Sequence, residues 1–457
     1  MKSHRISLLQ LCVGLLIPSL VAGATPVVRM DTVVGEIFVE LTPDVAPATV
    51  ENFLNYVERG DYDGSFVHRA DPGFVIQGGG FFFDETTGAA PGIPADPPVL
   101  NEFNVSNLRG TIAMARLGGQ PNSATTQWFI NLGNNTFLDT VDGGFTVFGN
   151  VRSTGMTVAD NISMLPLCNC GGAFGELPTI DFDFTSAIVE ENLVVIRSVE
   201  EFELLPPPFG AVLPGGRSVQ VNQTASAFAT LINSGQSTAA SCGLRPTSAV
   251  AADFSFQTTD ADNQPIGVEN ARVDIGPGAA QSFVFTFTPT ESFDNTTVEL
   301  EFACGNADPA GVLAGVNTFS LSASTMPTAD VIALAATASG DGITSIPGNS
   351  ATAAFSVATV NVGVAQTITV SADTGGVDLP VNVFVCETDP ATAACLGDLA
   401  LSIEVTLDAN QASTFSFFIQ GNGNVKFAPA TNRVFARFQD ASGSQRGATS
   451  VAILTVE

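Results

Sequence analysis

The side chains of this chain best suited to chemistry crowd into one stretch, Phe66-Val67-His68-Arg69-Ala70-Asp71-Pro72-Gly73-Phe74-Val75-Ile76-Gln77-Gly78-Gly79-Gly80. It offers an imidazole, a guanidinium, a carboxylate and an amide in close succession. The chain has only two histidines, His4 and His68. A histidine-rich zinc site or a Ser-His-Asp triad therefore has little to work with. The glycine run resembles a phosphate loop by composition alone, since no Gly-Lys-Ser/Thr follows to supply the cation and the metal-binding hydroxyl. Beyond residue 24 the cysteines are Cys168, Cys170, Cys242, Cys304, Cys386 and Cys395. Cys386 and Cys395 bracket Glu387 to Ala394 as a stapled loop. Pairing of Cys242 with Cys304 stays open, and Cys168-Asn169-Cys170 is too sparse to name a metal or redox motif. No metal site is expected.

Composition limits the classes that remain. Of 457 residues 45% are hydrophobic, too many for a disordered chain, while 13% are charged, well below the usual quarter. Glycine (44) and proline (26) are abundant enough to argue against long helices. At the amino end Lys2 and Arg5 precede an apolar run through Leu8, Leu9, Leu11, Val13, Leu15, Leu16 and Ile17, and Ala22-Gly23-Ala24 supplies small residues for cleavage. This reads as a secretory signal peptide over residues 1–24. The expected location is periplasmic or extracellular, where disulfides persist. Losing Lys2 and Arg5 with the leader takes the formal charge from −29 to −31. So acidic a chain disfavours nucleic acid and anionic lipid as partners. No later segment is apolar and long enough to span a bilayer.

Position-by-position patterns give the elements that must hold the dense stretch. Alternation around Val33 to Leu41 predicts a strand. Pro47 followed by apolar positions 50, 53, 54 and 57 predicts a helix with one greasy stripe, ended by Gly60. A second helix is predicted over Val158 to Leu165, stopped by Pro166. Leu205-Pro206-Pro207-Pro208 makes a stiff junction. Beyond it, period-two runs such as Phe254–Thr258, Ser282–Phe287, Val298–Phe302, Ile368–Ser371 and Thr414–Phe417 alternate with turn residues. This half also looks repeated: Ala229-Thr230-Leu231-Ile232-Asn233-Ser234-Gly235 is echoed by Ala358-Thr359-Val360-Asn361-Val362-Gly363. Two β-sandwich domains fit, at 206–324 and 342–457 with a small-residue linker at 325–341. One larger all-β region is the alternative.

Three further blocks follow the first in order. They are Arg109-Gly110-Thr111-Ile112-Ala113-Met114-Ala115-Arg116, Asn122-Ser123-Ala124-Thr125-Thr126-Gln127-Trp128-Phe129-Ile130-Asn131 and Val141-Asp142-Gly143-Gly144-Phe145-Thr146-Val147-Phe148-Gly149. Together the four blocks resemble the cyclophilin family of peptidyl-prolyl cis-trans isomerases, over about residues 28 to 201. The resemblance implies a mainly β fold: a closed eight-stranded barrel with two capping helices over residues 25–205, followed by two immunoglobulin-like sandwiches. It places the catalytic arginine at Arg69. Substrate-binding positions fall at Phe74, Val75, Gln77, Ala115, Arg116, Phe129, Val141 and Phe145, with Arg116 supplying mainly backbone contacts. His68 is expected to be structural, as are Cys386 and Cys395. The reaction implied is rotation about an X-Pro bond, and it needs no cofactor.

Several positions depart from the family's commonest pattern. Val75 replaces a methionine, Val141 a leucine and Arg116 an asparagine, while Trp128 stands for phenylalanine and Phe145 for histidine or tyrosine. The two valines are shorter and stiffer than the residues they replace, and Phe145 removes a polar handle. The expected partners are proline-containing peptides or unfolded exported proteins, with a cell-surface or matrix partner for the carboxy-terminal half. The competing function is a catalytically weak peptide-binding, chaperone or matrix and adhesion protein that uses the barrel for recognition.

Overall fold

The computed structural model describes residues 25–152 and 155–456; the predicted signal peptide lies outside them. Up to Glu203 the strands are β1 (Pro26–Thr32), β2 (Gly35–Leu41), β3 (Arg69–Asp71), β4 (Val75–Gly78), β5 (Thr111–Met114), β6 (Trp128–Asn131), β7 (Val147–Val151), β8 (Leu167–Cys168), β9 (Leu177–Pro178) and β10 (Ile196–Glu203). Eight of them form one curled sheet in the order β10-β1-β2-β7-β5-β6-β4-β3. The helices are α1 (Pro47–Glu58) and α2 (Gly155–Ser163), the second displaced toward the amino end of its predicted span.

Local chemistry explains α1. Pro47 lies in its first turn, and Thr49, Val50, Asn52, Phe53, Tyr56 and Val57 are buried. Phe53 meets Tyr62 and Phe148 at centroid distances of 5.3 and 5.1 Å. The first turn is capped from far away in sequence: the N–H groups of Ala48 and Thr49 donate to the Glu102 carboxylate at 3.2 and 2.8 Å. This satisfies donors that a helix start otherwise leaves orphaned. Gly60, with φ of 69°, follows the last turn as predicted.

The expected closed barrel is corrected to an open sheet, because β3 and β10 form no ladder. Instead the residues just before each strand meet at a single bridge, Phe66 to Val195. Val67 N–H donates to Val194 O at 3.0 Å and Ile196 N–H to Ser65 O at 2.7 Å. Past that point the free edge of β3 is taken by another segment, with Ala70 N–H donating to Glu176 O at 2.8 Å.

The carboxy-terminal half contains two pairs of sheets with the same strand order. In the first pair, Phe209–Leu213, Ala225–Ile232, Ala280–Pro289 and Ala252–Thr258 are neighbours in one sheet. Gly216–Gln220, Thr318–Ser324, Phe293–Ala303, Ala239–Pro246 and Val273–Ile275 are neighbours in the other. The second pair repeats this with Val331–Ala336, Thr352–Asn361, Ala412–Gly421 and Val381–Thr388 facing Ile343–Pro347, Gln445–Val456, Arg433–Gln439, Gln366–Asp373 and Ser402–Leu407. In each, one edge strand pairs in parallel with the last strand. Each pair of sheets shares one apolar core, so both are sandwiches.

The repeated sequence motif has a physical reason. Asn233 Oδ1 accepts from Gly235 N–H at 2.8 Å and Asn361 Oδ1 from Gly363 N–H at 3.0 Å. Each side-chain amide donates to backbone carbonyls of the facing turn, Ile275 and Leu407, at 3.0 Å. Both asparagines are buried and latch the same corner. Within the span expected as a linker, 325–341, Val331–Ala336 is a strand, with Val331 and Ala333 fully buried. Small residues there serve tight packing rather than looseness. Disulfides join Cys242 to Cys304, Cys386 to Cys395 and Cys168 to Cys170. Among the described residues no helix is long and apolar enough to cross a membrane.

Candidate active site

Strand register assembles the site. Arg69 lies opposite Gln77, Gln77 opposite Phe129 and Phe129 opposite Ala113, one row across β3, β4, β6 and β5. Because side chains alternate along a strand, the neighbours of this row point the other way. Ile76, Ile112, Met114, Trp128 and Ile130 enter the main core with the helices. Val75, Ala113, Phe129, Leu138 and Val147 form a separate cluster on the outer face, with Phe74, Ala115 and Phe145 packed against it.

That cluster floors a cavity of about 210 Å³ lined by Arg69, Phe74, Val75, Gln77, Ala115, Arg116, Phe129, Leu138 and Phe145. Val141 is not among them. It is 41% exposed, in a short 3-10 turn, whereas Leu138, one turn earlier, is 7% exposed and takes the apolar place. The sequence signal for Leu138 was only that both residues are apolar. Phe129 meets Phe145 edge to face at 5.7 Å.

Arg116 does more than expected. Its guanidinium lies 4.1 Å from the Phe145 ring centroid, and Nη2 donates to the carbonyls of Val141 at 2.7 Å and Gly144 at 3.2 Å. The side chain is 2% exposed. It therefore fixes the turn that carries Phe145, a wall of the cavity.

Arg69 sits at the rim, with Nε donating to Glu176 Oε2 at 2.7 Å and Nη2 lying 3.4 Å from Asp71 Oδ2. Its guanidinium carbon is 5.6 Å from the Phe74 ring centroid. The Gln77 amide donates to Gln127 Oε1 at 2.8 Å. On the far side of Arg69 and Gln77 opens a second, wider cavity of about 480 Å³, bounded also by His68, Phe81, Gln127 and the 172–176 loop. His68 is 2% exposed and edge-on to Phe81 at 5.0 Å. Burial, then the Arg69 charge, lowers its pKa to about 4. The imidazole is thus neutral and enclosed, packed against Phe81. Glu176 and Gln127 escaped sequence reasoning because neither belongs to an apolar pattern. Cys386 and Cys395 lie in the last sandwich, far along the chain from this site.

The arrangement holds an apolar ring-sized notch beside a fixed cation. No nucleophile-base pair lines it. Residues 27–176 match the family model for cyclophilin type peptidyl-prolyl cis-trans isomerase/CLD. Peptidyl-prolyl cis-trans isomerase A of Dickeya dadantii is 44% identical over 158 residues, covering 34% of this chain and 80% of its own. Peptidyl-prolyl cis-trans isomerase of Acinetobacter baylyi is 43% identical, covering 35% and 82%, and peptidyl-prolyl cis-trans isomerase B of Escherichia coli is 38% identical, covering 34% and 95%. Through its amino-terminal third, the chain belongs to the cyclophilin-type peptidyl-prolyl cis-trans isomerase family.

Proposed function

We propose that this protein catalyses cis-trans isomerisation of X-Pro bonds in exported proteins, with Arg69 as the catalytic residue. The observation that carries the reading is the row from Arg69 through Gln77 and Phe129 to Ala113, which puts one cation at the mouth of an apolar notch. Rotation about an X-Pro bond meets a barrier of about 20 kcal/mol, because amide resonance is lost on twisting. In the twisted state the prolyl nitrogen becomes pyramidal and regains its lone pair. A guanidinium N–H donating to that region stabilises the twisted form more than either planar form, which is the condition for lowering the barrier from the bound state. Phe74, Val75, Phe129, Leu138 and Phe145 grip the ring, and Gln77 orients the peptide backbone. No proton has to be exchanged.

Exchange NMR with the full chain and a tetrapeptide containing one Ala-Pro bond tests this. Wild type accelerates exchange, and Arg69→Ala lowers the bound-state rate on the order of 10²-fold, the usual loss on removing one preorganised donor, with peptide affinity nearly kept. No acceleration by wild type defeats the reading.

The domain limits we propose are 25–205 for the isomerase, 206–324 for the first sandwich and a second sandwich running to 457 that takes in Val331–Ala336. Antiparallel sheets of four and five strands with a parallel edge pair support an immunoglobulin-like kinship for the sandwiches. Three disulfides support an oxidising compartment, periplasmic or extracellular. We assign the sandwiches a spacing or attachment role toward a surface or matrix partner.

A further inference from the structure

We propose that Glu176 is a positioning residue for the isomerisation, holding the Arg69 guanidinium in the plane from which it serves the cavity; this rests on the isomerase reading above. Arg69 has five N–H donors, and a guanidinium on a flexible stem can aim them in many directions. Glu176 accepts from Nε at 2.7 Å, a charge-assisted bond at the root of the fork. That choice of atom matters. With Nε engaged, rotation of the fork is restrained while Nη1 makes no hydrogen bond to any described residue, and Arg69 lines the apolar notch.

Glu176 is itself held. Its carbonyl accepts from Ala70 N–H at 2.8 Å, beside Arg69 in β3. The next residue, Leu177, pairs with Cys168 across the β8–β9 ladder, and Cys168 is bonded to Cys170. The carboxylate thus stands on a stapled hairpin docked against β3. Gln77, the other polar group of the row, spends its amide on Gln127 and makes no hydrogen bond to Arg69. Orientation of Arg69 falls chiefly to Glu176, with Asp71 at 3.4 Å as a weaker neighbour.

The test uses the full chain, the Ala-Pro tetrapeptide and exchange NMR, which separates bound-state rate from affinity. Glu176→Ala should slow bound-state exchange about tenfold, the scale of loss for a misaimed group, with affinity changed less than twofold. Glu176→Gln keeps an oxygen able to accept from Nε–H and should recover most of the rate. The Arg69 Nε–H resonance should exchange slowly with water in wild type and Glu176→Gln, and rapidly in Glu176→Ala. A Glu176→Ala rate equal to wild type, a loss confined to affinity, or Glu176→Gln as slow as Glu176→Ala overturns the role of Glu176. Wild type that gives no acceleration overturns the isomerase reading and this one with it, whereas Arg69→Ala as fast as wild type overturns the roles of Arg69 and Glu176 alone.

Discussion

His68 shows what the site excludes. Beside the catalytic candidate, yet 2% exposed, its imidazole is held neutral by burial and by the charge of Arg69, with a pKa lowered to about 4 against an ordinary 6.5. The unfolded chain takes up a proton near pH 6.5 that the folded chain refuses until near 4. The stabilising effect of keeping His68 neutral is complete above pH 6.5 and is lost progressively as pH falls toward 4, amounting to about 3 kcal/mol over that window. Replacing His68 by glutamine, which does not titrate, should therefore remove a slope: the difference in unfolding free energy between wild type and His68→Gln should shrink by about that amount between pH 7 and pH 4. Denaturant titrations at several pH values read this out, and a constant difference would show that burial of His68 does not control its ionisation. Isomerisation itself should be flat from pH 6 to 8, since the proposed mechanism moves no proton.

At the scale of elements, the run Gly78-Gly79-Gly80 turns out to be a platform for Trp128. A Cβ on Gly79 would lie 2.7 Å from the Thr126 carbonyl and 2.8 Å from the indole, at a φ of 72°. The chain leaving β4 can pass Trp128 and the Thr126 carbonyl at this point only because nothing projects from it. Gly79→Ala should then cost about 3 kcal/mol or more, combining left-handed strain with a backbone clash. Gly88→Ala has a similar φ of 67° but open space around it, and should cost only about 1 kcal/mol. Equal losses in chemical denaturation would mean that the indole gives way freely. Local pattern carried α1, the strand ending at Leu41 and the echo between the Asn233 and Asn361 segments, because each is written in spacing or in turn chemistry, while the outward row through Gln77 and Phe129 came from the family resemblance. It did not carry what depends on distant chain: Glu102 capping α1, Glu176 covering the edge of β3 and so leaving the sheet open, or Leu138 rather than Val141 turning inward. Val331–Ala336 read as linker because small residues suit a tight strand and a loose tether equally.

Across the whole molecule the joints are built of polar contacts and close packing rather than slack chain. Between the isomerase sheet and the first sandwich, the Ser241 hydroxyl donates to Glu36, Arg29 approaches Asp274 at 3.4 Å, and the Phe38 ring lies against Gly305 where any side chain would collide. Leu205, from the proline-rich junction, is part of the first sandwich's own core. Between the sandwiches, Arg217 donates to Asp330 through Nε at 2.9 Å and Nη2 at 2.8 Å, and Ser218 N–H adds a bond at 3.0 Å. Arg446, paired with Asp440, reaches Ser218 from the other unit at 2.8 Å. The Arg217 and Asp330 side chains are only 11% and 6% exposed. Removing one partner strands the other charge in a site water barely enters, at a cost of about 3–5 kcal/mol. Arg217→Ala should thus loosen the joint: amide exchange rises in Gly216–Gln220 and Val331–Ala336, and the radius of gyration from small-angle scattering increases. Turnover of the Ala-Pro tetrapeptide should stay at the wild-type level, because no residue of this joint lines the cavity at Arg69. Unchanged exchange in both strands would mean that apolar packing alone holds the two sandwiches together, and a fall in turnover would mean that the arm bears on the groove.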